Sequence, residues 1–423
     1  MQFIPKGPDI PESLLQAHEE GRVVFFCGAG ISRPAGLPGF KGLVDDIYKR
    51  LDIDRDPIEQ KAYKNKQFDV TLGLLERRIH GQRTTVREVL AQALQPKQHP
   101  KGTSTHAALL QLARCQDGAL RLVTTNCDRI FERVTEDTGQ TIQSYTAPML
   151  PVPKSSRWNG LVYLHGLLPQ KDDDTTALNS LVITSGDFGL AYLTERWAAR
   201  FVSELFRNYV VCFVGYSIDD AVLRYMMDAL AADRMLGEVT QQPYALCDCQ
   251  SGQEHIKTIE WKAKGIIPIL YEVPPRSRHS ALHKTLKAWA ESYRDGIRGK
   301  ELIVVTCALA RPSSSTRQDD FVGRMHWALS DASGLPAKRF AERNPVPSLE
   351  WLKAFSEKRY RHNDLINFGV SPRGDQDDKL QFSLIRRPAP YKHASWMMLA
   401  SNGMMSVVNS GHQNEYQAAS FCS

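Results

Sequence analysis

Short apolar segments alternate with longer amphipathic segments over most of the first 300 or so residues. The apolar runs that read as strands cover residues 22–27, 120–125, 160–164, 181–184, 209–214, 244–247 and 266–271. The segments with a 3.6-residue apolar period cover residues 43–51, 128–135, 192–206, 219–231, 255–264 and 280–293. Continuous apolar strands separated by helices are typical of parallel sheets that are covered on both faces. The pattern therefore predicts an α/β fold, a Rossmann-like parallel sheet with helices on both faces.

Two regions depart from this alternation. Residues from about 53 to 113 contain "VTLGLLERRIHG" and "VREVLAQAL" without a strand-like run, which predicts a helical insertion. After Arg298 a polar stretch, "LARPSSSTRQDD", leads into separate amphipathic segments. We predict one domain over residues 1–297, including the insertion, and a smaller, partly helical C-terminal region over 298–423. The final "NSGHQNEYQAASFCS" lacks a period and a cap, so we expect it to be poorly ordered.

Composition narrows the class of protein. Fifty-three Lys and Arg against 47 Asp and Glu leave a net charge of +6, too mild an excess to indicate a nucleic-acid partner. The eight cysteines are scattered, mostly within apolar runs, which suits reduced core thiols and a cytoplasmic location better than a disulfide framework. No apolar stretch approaches the roughly 20 residues that cross a bilayer, so no membrane association is expected.

A glycine-rich loop follows the first predicted strand. "VVFFCGAGIS" places Gly28, Ala29, Gly30 and Ser32 directly after apolar residues, and "GLPGF" follows, ending at Phe40. Glycines let backbone N–H groups approach a pyrophosphate, and a helix start adds its positive end. The alternative is a tight strand-to-helix turn without a ligand, since the full G-x-G-x-x-G spacing is not met.

Polar side chains follow two further predicted strands. "LVTTNCD" brings Thr125, Asn126 and Asp128 just past a buried strand, and "LVYLHG" brings His165 to the end of another. A carboxamide, a carboxylate and an imidazole there could hold a sugar and move a proton. The structural alternatives are that Asp128 caps the next helix, that Asn126 only turns the chain, and that His165 is a satisfied core histidine.

A late turn carries the last candidates. In "FVGYSIDD", Gly215 and Ser217 follow a strand, and Ser217 or Asp219 could simply cap the following helix. Asp187 in "ITSGDFG" is a further acidic candidate whose alternative is again a cap.

These motifs, "GAGIS", "GLPGF", "TTNCD", "HG" and "VGYSIDD", resemble in composition and order those of the sirtuin family, over roughly residues 15–295. The resemblance is to the sirtuin-like NAD hydrolase domains of bacterial anti-phage defence proteins, which lack the zinc ribbon of protein deacylases. It departs around Phe40, where the family has an acidic residue and an arginine and this chain has Gly39 and Lys41.

The resemblance implies a role for each candidate. Asn126 would orient the ribose or the attacking water, and His165 would act as general base. The residues implied to bind NAD are Gly28, Ala29, Gly30, Ser32, Phe40, Thr125, Asp128, Gly215 and Ser217.

No pair of Cys-x-x-Cys motifs is present, and Cys247 and Cys249 have the wrong spacing for a zinc ribbon, so we expect no metal. Water then becomes the expected acceptor of ADP-ribose, which makes the chain an NAD glycohydrolase with NAD as its substrate. The alternatives are an NAD-dependent protein deacylase, a sensor that binds NAD or ADP-ribose without turnover, and, more weakly, a dehydrogenase.

The resemblance also implies that the hydrolase depletes NAD in infected cells and must be gated. We expect a homo-oligomer and an activating trigger, for which a partner protein or a phage component is a candidate. The helical insertion and the C-terminal region are candidate gates.

Overall fold

The structure, a computed structural model, describes residues 1–79, 83–95, 102–115, 118–170, 175–218, 221–235, 237, 240–274, 279–294, 296–316, 319–329, 331, 333–355, 370–372 and 380–382. The chain divides into two compact units. One runs from Ser13 to Lys287, and the other combines Met1–Glu12 with the chain from Ala288 onward. The boundary at residues 297/298 stays a prediction.

A seven-stranded sheet forms the centre of the larger unit. Its strands are β1 Val23–Cys27, β2 Arg121–Thr124, β3 Ser144–Thr146, β4 Gly160–Tyr163, β5 Val210–Val214, β6 Tyr244–Cys249 and β7 Ile267–Glu272. Every pair is parallel, in the order β3-β4-β2-β1-β5-β6-β7. The predicted Rossmann-like α/β fold is confirmed.

Helices flank this sheet. The first ones are α1 Glu12–Glu19, α2 Phe40–Leu51, α3 Pro57–Lys64, α4 Phe68–Arg78, α5 Arg83–Ala93, α6 Ser104–Leu112 and α7 Ile130–Asp137. They are followed by α8 Thr175–Asn179, α9 Ser185–Phe188, α10 Trp197–Asn208, α11 Ala221–Met235, α12 Glu254–Ala263 and α13 Ser280–Arg294. A π-helical segment, Gly189–Thr194, connects α9 to the loop before α10.

The register of the central strands aligns their carboxyl ends. Cys27 pairs with Thr124 on one side and with Val214 on the other, and Thr124 pairs with Tyr163. The last residues of four adjacent strands therefore lie in one row across the sheet. Loops that leave these strands start side by side, which is where parallel α/β sheets bind ligands.

One predicted strand does not form, and one observed strand was not predicted. Residues 181–184 were expected to form a strand, but this segment is irregular and ends where α9 begins. Its Val182 N–H donates to the carbonyl of His165 at 3.0 Å rather than to a strand of the sheet, although the buried side chains of the segment resemble a strand pattern. Conversely, β3 is an edge strand of three half-buried residues, too short and too polar to be seen in the sequence.

Helices α3 to α6 lie within residues 53–113, the region predicted to be a helical insertion. Leu72, Leu75, Val86 and Leu90 are fully buried there and form a second apolar cluster with residues of α2. The cluster extends to Leu181 and Ile183, beside the loop that follows β4. Packing of this region therefore reaches the carboxyl edge of the sheet.

A fully buried arginine ties α5 to that edge. Arg87 donates from Nε to Glu76 at 2.8 Å and from Nη2 to Asp187 at 2.6 Å. Its Nη1 donates to the carbonyl oxygens of Leu178, Asn179 and Leu181. Asp187 also accepts from the N–H and hydroxyl of Thr184, which confirms the capping interpretation of this aspartate.

The smaller unit has its own apolar contacts. Its helices are α14 Ile297–Cys307, α15 Phe321–Leu329, α16 Leu335–Ala341 and α17 Glu350–Phe355, with a short hairpin of Val370–Pro372 and Leu380–Phe382. Phe3 stacks on Trp289 at 5.6 Å and meets Trp327 edge-on at 5.8 Å. The segment "NSGHQNEYQAASFCS" and Cys422 lie outside the described residues. In the described part of the chain, no helix is long and apolar enough to span a bilayer.

We predict that Arg87→Met lowers the free energy of unfolding by about 3–5 kcal/mol, because it leaves two carboxylates buried without their cation. The matched control is Arg50→Met. Arg50 pairs with Asp46 at 2.8 Å on the surface, where a salt bridge contributes about 0–1 kcal/mol. Urea denaturation of both variants measures the difference, and equal losses would contradict the role given to Arg87.

Candidate functional site

A pocket opens at the carboxyl ends of the central strands. Its empty volume is about 720 Å³, counting the open mouth. The lining residues are Ala29, Ser32, Leu37, Pro38, Phe40, Leu43, Leu94, Thr125, Asn126, Cys127, Asp128, His165, Val182, Ile183 and Phe188. The loops after β1, β2 and β4 all contribute, because the strand register starts them side by side.

The loop after β1 lies directly on the turn after β5. Gly30 N donates to Gly215 O at 2.9 Å, and Gly28 N donates to Val214 O at 2.9 Å. A Cβ on Gly30 would lie 2.7 Å from Gly215 Cα, and a Cβ on Gly28 would lie 2.8 Å from the ring of Tyr216. Gly215 itself has φ +79. The glycines are thus required by the contact between two loops.

This contact also changes the expected use of the loop. The N–H groups of Gly28, Gly30 and Ile31 donate to backbone carbonyls within the protein. Residues Ala29–Ser32 form a short 3-10 helix, and α2 begins only at Phe40. The strand is therefore not followed directly by an α-helix whose positive end could face a phosphate.

The hydroxyl of Ser32 connects three side chains below the pocket. It donates to Asp128 Oδ2 at 2.8 Å and accepts from Asn126 Nδ2 at 3.1 Å. His106 Nε2 lies 3.3 Å from the same oxygen. A hydroxyl has one hydrogen and two acceptor positions, so His106 must carry its proton on Nε2. Burial lowers the pKa of His106 to about 3, and the nearby His283 lowers it to a smaller extent. The His106 ring is therefore neutral.

Asn126 is oriented by this arrangement. Its Nδ2 donates to Gly28 O at 3.2 Å and to Ser32 Oγ, so both amide hydrogens are committed to the protein. Because a carbonyl oxygen can only accept, the amide nitrogen must face Gly28 and Oδ1 must face away from it. Asn126 lines the pocket, and its oxygen is the atom left for a bound molecule.

Asp128 both caps a helix and lines the pocket, the two roles considered for it from the sequence. Its Oδ1 accepts the N–H of Ile130, the first residue of α7, at 3.1 Å, as a helix-capping group would. The side chain is also part of the pocket lining and almost fully buried. Burial raises the pKa of its carboxyl, while the hydrogen bonds from Ile130 and Ser32 oppose that shift.

His165 is enclosed by aromatic side chains. Its ring meets Phe188 edge-on at 5.2 Å, and its Nε2 is hydrogen-bonded to the Tyr192 hydroxyl at 3.0 Å. Phe188 stacks in turn on Tyr225 at 5.1 Å. Only 2% of His165 is exposed, and burial lowers its pKa to about 3. The imidazole is therefore neutral near pH 7.

The structure brings most of the predicted site residues together. Ala29, Ser32, Phe40, Thr125, Asn126, Asp128 and His165 line one pocket. Gly28, Gly30 and Gly215 lie beside it as a supporting loop contact. Ser217 is exposed and does not line the pocket, and Asp219 lies outside the described residues.

Four aromatic residues of the site were missed in the sequence. Tyr216 is hydrogen-bonded to Thr125 Oγ1 at 2.6 Å, while Phe188 and Tyr192 surround His165 and His106 supports Ser32. Tyr216 lies inside a motif already singled out, so its position next to Gly215 was a usable signal. His106 and Tyr192 gave none, because their partners are distant along the chain.

Within the described residues, no three His, Cys, Asp or Glu side chains come together as a metal site would require. The cysteines beside the site, Cys27 and Cys127, are buried, and burial raises the pKa of both thiols.

Comparison with known proteins identifies a domain that contains part of the site, from Thr125 to Phe188, but not the loop after β1. A model of the SIR2-like domain matches residues 120–269, about a third of the chain, which supports a sirtuin-like fold. An uncharacterised protein of Sinorhizobium fredii, y4cA, is 34% identical over 334 residues, or 78% of this chain. The chain spans 27% of the length of that relative.

We predict that Gly215→Ala destabilises the protein more than Gly36→Ala does. Both glycines have positive φ, +79 and +88, so both substitutions carry a strain of about 1–2 kcal/mol. Only the Cβ on Gly215 would collide, at 2.8 Å from Ile31 N, whereas that on Gly36 has nothing within 4 Å. Equal losses in urea denaturation would show that the loop contact is not a tight one.

We also predict a pH effect of His165 on stability. The unfolded histidine binds a proton below its ordinary pKa of about 6.5, but the folded one does not until about pH 3, so acidification favours unfolding. Between pH 7 and pH 5 this linkage removes about 2 kcal/mol. His165→Phe should lose that much less over the same interval in urea denaturation.

The matched control for this effect is His255→Phe, which alters an exposed histidine on α12. It should leave the pH dependence of unfolding as in the unmodified protein. An unchanged dependence in His165→Phe would instead mean that His165 is solvated in the folded state.

Proposed function

We propose that the protein is an NAD glycohydrolase. Water replaces nicotinamide at the anomeric carbon of the ribose: the bond from that carbon to the ring nitrogen breaks, and a bond to the water oxygen forms. The products are nicotinamide, ADP-ribose and one proton. SIR2-like domains use NAD, which supports the choice of substrate.

The observation that carries this proposal is the pairing of Asn126 and His165 in one pocket. Asn126 offers an amide oxygen whose own hydrogens are fixed elsewhere, and His165 offers a neutral imidazole. A fixed acceptor can hold a ribose hydroxyl or the attacking water, and a general base must start unprotonated, as His165 does. Orientation of the reactants and a place for the proton are two of the functions that such a displacement at a sugar requires.

The proposed roles of the other residues follow from their positions. Phe40 and Phe188 provide apolar surface for the nicotinamide ring, and Phe40 is held edge-on by Phe68 at 6.0 Å. Ser32 and Asp128 act through Asn126. The leaving group is a pyridinium that departs neutral, so no metal is needed to stabilise it.

The first alternative is a protein deacylase. Such an enzyme passes ADP-ribose to an acylated lysine instead of to water, so its NAD turnover depends on a peptide. The second alternative is a sensor that binds NAD or ADP-ribose without turnover. The unprotonated His165 in the pocket favours catalysis over sensing, because binding alone does not require a histidine there.

We further propose that the activity serves bacterial anti-phage defence in the cytoplasm and is switched on by assembly or by a partner. If the helical insertion makes the regulatory contact, reversing a surface charge on it should disturb that contact, but Arg78 is unsuitable for this test. It donates to both oxygens of the buried Glu59, at 2.8 and 3.0 Å, so reversing its charge would disturb the fold. Lys61 and Lys64 on α3 are the better probes: charge reversal there should change the oligomeric state in light scattering if α3 is an interface, and leave it unchanged if it is not.

We predict that NAD is converted to nicotinamide and ADP-ribose without any acylated peptide. Asn126→Ala and His165→Ala should each lower kcat about 10²–10⁴-fold, the usual loss when a proton-transfer or orienting group is removed. Asn208→Ala and His255→Ala, which change residues outside the pocket lining, should retain activity. Chromatographic separation of the products gives the rates.

The same assays distinguish the glycohydrolase from the deacylase and the sensor. Turnover that appears only with an acylated peptide would establish the deacylase. Calorimetric binding of NAD with no turnover in any assembly state would favour the sensor.

A further inference from the structure

The pocket lacks positively charged side chains that could bind the diphosphate of a ligand. Among its described lining residues, none is Lys or Arg, and the only histidine is neutral because its pKa is about 3. Asp128 is the acidic member of the lining, and burial raises the pKa of its carboxyl. A dianion would therefore meet little positive charge from the pocket walls.

Backbone N–H groups of the loop after β1 do little to make up for the missing positive charge. The N–H groups of Gly28, Gly30, Ile31 and Arg33 donate to carbonyls of the protein. The α-helix nearest to the loop in sequence starts at Phe40, eight residues after Ser32 by numbering. A cation at the rim of the pocket is the remaining source of charge.

Arg33 stands at that rim. It is exposed and directly follows the short 3-10 helix that carries Ala29 and Ser32, both of which line the pocket. Its Nη1 lies 2.8 Å from the position that a Cβ on Gly39 would take. Gly39 is flanked by Pro38 and Phe40, which also line the pocket. The guanidinium therefore rests against the rim segment 38–40.

The neighbouring cation is engaged elsewhere. Lys41 Nζ lies 5.9 Å from the centre of the Tyr63 ring, on the helical insertion. A cation within about 6 Å of an aromatic ring centre is attracted to the ring, although Arg55 lies closer to the same ring, at 3.9 Å. Lys41 therefore does not take the position that Arg33 occupies beside Gly39.

We propose that Arg33 binds the diphosphate of the substrate, and that Gly39 lacks a side chain because the guanidinium uses that space. Arginine suits this task, since its planar fork donates two parallel hydrogen bonds to phosphate oxygens. The inference rests on the proposed use of NAD and names the residue that would recognise its diphosphate. It concerns binding, so it is separable from hydrolysis.

Two variants test it by different means. Arg33→Gln removes the charge. Gly39→Ala keeps Arg33 but pushes its guanidinium away, and it should leave the fold intact. The backbone of Gly39, at φ −76 and ψ 173, accepts any residue, and the flexible end of Arg33 is the side chain in the way. Lys41→Gln is the charge-matched control.

The measurement is the calorimetric Kd of ADP-ribose, with hydrolysis of NAD and of nicotinamide riboside followed in parallel. We expect Arg33→Gln and Gly39→Ala to weaken ADP-ribose binding about tenfold, less at high salt because the contact is exposed. Lys41→Gln should bind as the unmodified protein does. Hydrolysis of the riboside, which has no phosphate, should be unchanged in every variant that turns over NAD.

Three results would overturn the proposal: an unchanged Kd in Arg33→Gln, an equal loss in Lys41→Gln, or no binding of ADP-ribose by the unmodified protein. Normal binding of ADP-ribose, with the expected loss in the variants but no release of nicotinamide from NAD, would uphold the role of Arg33. That same result would remove the glycohydrolase function.

Discussion

The contact between the loop after β1 and the turn after β5 is the constraint on which the site depends. Gly30 and Gly215 approach so closely that neither position has space for a side chain. Once the two loops are fixed, Gly28 O is in place to accept from Asn126, and Ser32 is in place for its three partners. The orientation of the amide oxygen in the pocket is thus a consequence of backbone packing between two strands that are far apart in sequence.

Burial, rather than paired charge, determines the electrostatics of the pocket. His165 and His106 are held neutral by desolvation, and Asp128 is drawn toward its neutral form by the same cause. No Lys or Arg is among the residues that line the pocket. The binding of a polyanion would therefore depend on groups at the rim, which is where the exposed Arg33 lies.

The sequence was most informative where local pattern decides structure. Strands β1 and β5 are buried along their whole length and were predicted within a residue, since a continuous apolar run has few alternatives. Residues 181–184 were wrongly predicted, because their buried side chains pack on two clusters although the backbone joins no strand. For the site, loop residues after strands could be singled out from glycines and isolated polar side chains. Tyr192 and His106 could not, because only tertiary contacts connect them to His165 and Ser32.

Two chains of contacts connect the helical insertion to His165. Arg87 on α5 is paired with Asp187, and the next residue, Phe188, packs against the imidazole. A second path runs from Asp69 on α4 to the Tyr225 hydroxyl at 3.4 Å, and Tyr225 stacks on Phe188. Because close-packed interiors transmit strain, we expect a displacement of α4 or α5 to disturb the wall around His165. A molecule that binds to the helical insertion would therefore change the environment of His165, the proposed base, without contacting the pocket.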